Sequence, residues 1–99
     1  MFRVTTPTHV FNLPFEADTI DKFILTYKQA GNVIVEKTEE DDGWTSSGKQ
    51  LMVKLTQEET SLFADRKATV QLRVKIDDTV MASNIIDIYV TDVLNEEVM

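Results

Sequence analysis

The chain has 99 residues, no cysteine and a formal net charge of −7, with an isoelectric point near 4.5. That balance excludes the basic footprint a phosphate backbone requires, and the missing thiols exclude disulfides and thiolate metal sites, so no nucleic-acid partner is expected. Residues 1–7 contain no apolar stretch of signal-peptide length and no run approaches the roughly 20 apolar residues that cross a bilayer, so a soluble chain without a membrane partner is expected.

The first element is a strand over residues 10–15, with Phe11, Leu13 and Phe15 on one side. Pro14 confines it to an edge or a strand end, because proline cannot donate to a ladder. A second strand over 22–28 turns Phe23, Leu25 and Tyr27 inward. Ala30-Gly31-Asn32 then reads as a hairpin turn, since Gly and Asn tolerate positive φ, and residues 33–37 return alongside. An acidic, glycine-bearing loop over 39–48 leads to a strand over 50–55 with Leu51, Val53 and Leu55 inward.

Thr56-Gln57-Glu58-Glu59 breaks the period-two rhythm and matches a capping box, with Thr56 as N-cap and Glu59 reaching back to its amide. A short crossover helix around 57–63 follows, whose Leu62 and Phe63 are expected to cover the end of a sandwich. The clearest alternation is Thr69-Val70-Gln71-Leu72-Arg73-Val74-Lys75-Ile76, in which every second residue is apolar. A turn at Asp77-Asp78-Thr79 precedes a last strand over 80–90, with Val80, Ala82, Ile86, Ile88 and Val90 expected on its inner face. Asn84 interrupts that face, so a bulge or bend is expected near Ser83-Asn84. Six to seven antiparallel strands and one short crossover helix spell an all-β, immunoglobulin-like sandwich in a single domain over residues 1–99. Small domains bury a modest share of their surface, so oligomerisation is a natural source of added stability.

His9 is the only histidine and no nucleophile motif accompanies it, so it reads as a strand-end residue and no catalytic residue is assigned. Glu36 and the Glu39-Glu40-Asp41-Asp42 cluster lack the spacing and distal glutamate of a calcium loop, so they read as solvated, with no metal and no cofactor expected. Trp44 admits two readings, a lid folded back on the core or an exposed anchor of an interface. The apolar residues near the termini, Phe2 and Val4 at one end and Val93, Leu94, Val98 and Met99 at the other, either extend edge strands within the chain or pair with a neighbouring protomer. Phe2, Val4, Trp44, Val93, Leu94 and Val98 are therefore the candidate interface residues.

Three stretches together carry a resemblance: Thr5-Thr6-Pro7-Thr8 running into Val10-Phe11-Asn12-Leu13-Pro14-Phe15, then Leu55-Thr56-Gln57-Glu58-Glu59-Thr60, then Val70-Gln71-Leu72-Arg73-Val74-Lys75 followed by Ala82-Ser83-Asn84-Ile85-Ile86. Their order resembles small β-sandwich structural proteins encoded by phages and prophages of Gram-positive gut bacteria. In pattern it is also similar to the N-terminal domain of phage baseplate upper proteins. The resemblance implies a virion protein of the tail or baseplate, assembled in the bacterial cytoplasm. Its implied partners are other phage structural proteins and further copies of itself, and it implies no enzyme activity. A carbohydrate- or host-surface-binding module with Trp44, Asp41, Asp42 and Ser46 around a sugar is an alternative, and a capsid decoration protein another.

Overall fold

A computed structural model describes residues 1–83 and 85–91. Along them run eight strands: β1 (Thr8–Asn12), β2 (Lys22–Gln29), β3 (Asn32–Thr38), β4 (Trp44–Ser47), β5 (Gln50–Lys54), β6 (Lys67–Ile76), β7 (Thr79–Ala82) and β8 (Ile86–Tyr89). A helix, α1 (Gln57–Ser61), joins β5 to β6. The strands form a three-stranded sheet ordered β1-β5-β4 and a five-stranded sheet ordered β3-β2-β6-β7, with β8 also paired to β6. All the strand pairs are antiparallel. The all-β sandwich expected from the alternation is the observed architecture.

The core lies between the sheets and is built by period two. Phe23, Leu25 and Tyr27 of β2, Val70, Leu72 and Val74 of β6, and Leu51 and Val53 of β5 are all buried, because alternate residues of a half-covered strand share one face. Burial of such side chains contributes roughly 1.5–3 kcal/mol each. Phe63 closes the end of this core at 1% exposure, whereas Leu62, expected beside it, is 62% exposed. The capping box is present: Thr56 Oγ1 accepts from the Glu59 N–H at 3.1 Å, and Glu59 Oε1 accepts from the Thr56 N–H at 2.9 Å. With its cap on Leu62, α1 ends a little before the expected boundary.

Three local differences from the sequence reading have physical causes. The first strand begins at Thr8 and ends before Pro14, although Leu13 still donates its N–H to Lys49 O at 2.8 Å. The supposed loop after the acidic cluster contains β4, which pairs with β5 from Trp44 opposite Val53 to Ser47 opposite Gln50. The hairpin turn consists of Ala30 and Gly31, at φ 50° and 80°, while Asn32 already pairs with Gln29.

The last strand carries the main correction. The interruption near Ser83 exists and divides it into β7 and β8. Arg73 pairs with Ala82 and Val70 with Ile86, so β6 advances by three residues where the edge strand advances by four. One extra residue reverses the facing of everything before it. Ile86 and Ile88 stand opposite Val70 and Ala68, on the core face as expected. Val80 and Ala82 stand opposite Lys75 and Arg73, on the outer face, contrary to expectation. Met81, opposite buried Val74, takes the inner position.

Candidate functional site

The two sheets differ in width, and a groove opens where the wider one is left uncovered. One wall is β1 and the segment after it, through Val10, Phe11, Leu13, Pro14 and Phe15. The other is Leu72 and Val74 of β6 with Met81, Ala82, Ser83 and Ile86. The groove holds about 530 Å³, within the ordinary range of binding sites. No lining residue carries a charge, and Asn12 and Ser83 supply its polar side chains.

Ser83 is committed to the fold. Its N–H donates to Leu72 O at 2.8 Å, and its Oγ accepts from the Leu72 N–H at 3.0 Å. Gln71 Nε2 donates to Ser83 O at 3.0 Å. The hydroxyl thus replaces a main-chain acceptor where the extra residue breaks the ladder.

The groove lies beside β7, which among the described residues pairs with β6 alone. Apart from Leu72 and Val74, its lining falls in two stretches without Asp, Glu, Lys or Arg, residues 4–15 and 79–86. Those charge-free stretches were the available signal for it, since surfaces kept apolar in a charged chain mark contacts. Phe2, Val4 and Trp44 do not line it.

The named residues go elsewhere. Trp44 is half-buried and packs against the core. Its ring meets Phe23 edge-on, with centroids 5.2 Å apart, and its Nε1–H donates to Glu39 O at 3.1 Å. Phe2 is exposed and forms a parallel bridge with Thr91. The bridge is flanked by bonds from the Arg3 N–H to Thr91 O at 2.9 Å and from the Thr91 N–H to Met1 O at 2.8 Å. Val4 is half-buried at φ 56°, a conformation in which a β-branched residue is strained. Val93, Leu94, Val98 and Met99 lie outside the described residues.

His9 has a role that its position at the start of a strand concealed. Its Nδ1 lies 2.5 Å from the hydroxyl of buried Tyr27, joining the two sheets through the core. Burial chiefly, and the positive amino terminus secondarily, lower the His9 pKa from its ordinary value. Burial, with Glu59 adding to it, raises the Tyr27 phenol above its own. With both groups neutral, the imidazole tautomer sets the direction: the phenol donates to a bare Nδ1, or an Nδ1–H donates to the phenol oxygen.

Two carboxylates of the acidic loop accept from main-chain N–H groups of the flanking strands. Asp41 Oδ2 accepts from the Thr38 N–H at 2.7 Å, and Glu39 Oε2 accepts from the Phe23 N–H at 3.2 Å. Among the described residues no group of three or more His, Asp or Glu is placed to hold a metal ion. No described helix is long and apolar enough to cross a membrane. No protein-family model, curated protein or solved structure matches the chain.

Proposed function

We propose that the chain is a structural module of a bacteriophage virion, in the tail or baseplate, that works through protein–protein contacts. The observation that carries the contact role is the uncharged groove of about 530 Å³ between β1 and the β6–β7 face. Enzyme sites place titratable groups against a reacting atom. This groove offers apolar walls, the feature that suits side chains of a partner. The virion setting rests on the resemblance carried by the Thr5–Phe15, Leu55–Thr60 and Val70–Ile86 stretches. Trp44 is a poor sugar platform, because its ring is spent on Phe23 and its N–H on Glu39, which weighs against the carbohydrate reading.

Mass spectrometry of purified phage particles against isolated tails tests the assignment. Presence in both, at several copies per particle, is expected. Presence only in particles that retain heads would replace the tail with the capsid surface. Absence from both would refute the virion role.

A further inference from the structure

Glycine stands at positions 31, 43 and 48, and Gly43 alone follows an aspartate or asparagine. The fold requires that glycine. Its φ is 86°, a Cβ there would lie 3.3 Å from Lys54 O, and its carbonyl accepts from the Lys54 N–H at 2.8 Å. The residue before it is under no such demand. Asp42 is exposed, and among the described residues its carboxylate takes part in no hydrogen bond or ion pair. We propose that Asp42-Gly43 is a self-modification site, at which the folded chain isomerises to isoaspartate through a cyclic imide. This inference stands apart from the protein-contact reading above.

The chemistry needs no reactant besides water. The Gly43 amide nitrogen attacks the Asp42 side-chain carbon Cγ, so an N–Cγ bond forms and a Cγ–O bond breaks. The protonated carboxyl gives up its hydroxyl, the amide gives up its hydrogen, and the two leave together as one water. The product is a five-membered ring with two carbonyls, and water then adds to either of them. Opening at Cγ restores aspartate. Opening at the Asp42 main-chain carbon leaves the chain running through Cγ, as isoaspartate. No atom is gained or lost overall, but one carboxylate oxygen of either product comes from the solvent.

Local structure singles out this pair. A glycine amide meets the carboxyl carbon with no side chain in the way, and among the described residues no main-chain acceptor takes the Gly43 N–H. The neighbouring Asp41 is held. Its Oδ2 accepts from the Thr38 N–H at 2.7 Å, its own N–H donates to Thr38 O at 3.0 Å, and the residue after it bears a side chain. The consequence falls on β4. Isoaspartate adds one atom to the main chain just ahead of Trp44, inside a loop tied at two points. One tie is the Trp44 Nε1–H bond to Glu39 O at 3.1 Å; the other is the Lys54 N–H bond to Gly43 O. The lengthened loop displaces one of them, and the indole leaves its edge-on contact with Phe23.

Incubation of the whole folded chain in mildly acidic heavy-oxygen water, then trypsin digestion in ordinary water and mass spectrometry, reads the site. The peptide 38–49, released by cleavage after Lys37 and Lys49, should take up heavy oxygen. It should also split into two chromatographic forms of equal mass, one with isoaspartate at position 42. Peptides carrying Asp65 or Asp87 should keep ordinary oxygen. Asp42→Glu keeps the charge but would need a six-membered ring, so it should lose the uptake with its far-UV spectrum unchanged. Trp44 emission should move to longer wavelength as isoaspartate accumulates in the wild type and stay fixed in Asp42→Glu. Uptake by the urea-unfolded chain with none in the folded one would mean that the loop holds the carboxyl carbon away from the amide, and would overturn the site. Uptake spread evenly over the aspartates, or persisting in Asp42→Glu, would overturn it too. An isoaspartate form with wild-type Trp44 emission would refute the effect on β4.

Discussion

Glu59 is the residue at which local and long-range stabilisation meet, and Glu59→Gln separates them. Its Oε1 closes the capping box on the Thr56 N–H at 2.9 Å, while Oε2 lies 2.6 Å from Lys37 Nζ. Glutamine keeps the capping acceptor but turns a charged partner into a neutral one. The Lys37 side chain is 8% exposed and that of Glu59 24%, so the ammonium loses its counter-charge in a place that water barely reaches. Removing one partner of a buried pair costs about 3–5 kcal/mol, and the partial exposure of Glu59 lowers the expectation to about 2–4 kcal/mol. At about 4–8 °C per kcal/mol for a domain of this size, the melting temperature should fall by roughly 10–30 °C. Urea unfolding followed by Trp44 fluorescence gives the free energy directly. Lys37→Met with Glu59→Gln should recover most of the loss, because the stranded charge is then gone. A single variant within about 0.5 kcal/mol of wild type, or a double variant that merely adds the two single effects, would refute the reasoning.

The remaining expectations concern turns, titration and the amino-terminal segment. Ala30→Asn should stabilise by about 0.5–1 kcal/mol in denaturant titration, since Asn tolerates the φ of 50° that Ala adopts before Gly31. The lowered His9 pKa means that the unfolded chain binds a proton more readily than the folded one. Stability should therefore fall as pH drops through and below His9's ordinary value of 6.5, and His9→Gln should flatten that part of the unfolding profile. Thr60, fully buried, accepts from the Thr5 N–H at 3.0 Å and donates to Thr5 O at 2.9 Å. Thr60→Val should cost about 1–3 kcal/mol and speed hydrogen exchange at the Thr5 amide.

What was legible in the sequence was whatever a short window determines. The inward faces of β2 and β6 follow from alternation within eight or ten residues, and the start of α1 from four residues of a capping box. β4 escaped because Thr45, Ser46 and Ser47 are polar and exposed, so no alternation marks them; pairing with β5 makes them a strand. The His9–Tyr27 bond escaped because it joins residues from different sheets. The groove escaped for a related reason. Its walls are individually visible as apolar, but only the strand order leaves the two uncharged stretches facing each other across an opening.

The facing of β7 shows why a correctly placed bulge can still mislead. Recognising an interruption near Ser83 does not say whether it holds an odd or an even number of extra residues, and only the odd case reverses the strand. Here Ser83 decides how the chain resumes, because its hydroxyl takes the Leu72 N–H that the displaced main chain no longer satisfies. Leu72 is buried in the middle of β6, so that donor has little access to water. Ser83→Ala should therefore destabilise by about 1–3 kcal/mol, the cost of a buried unpaired donor. Ser83→Thr, which keeps the hydroxyl, should recover more than half of it. Hydrogen exchange at Leu72 gives the local reading: its protection should fall further in Ser83→Ala than that of Val70 or Val74. Uniform loss along β6, or a Ser83→Ala variant as stable as wild type, would mean that the ladder crosses the extra residue without the hydroxyl. The facing of Met81 would then rest on its pairing with Val74 alone.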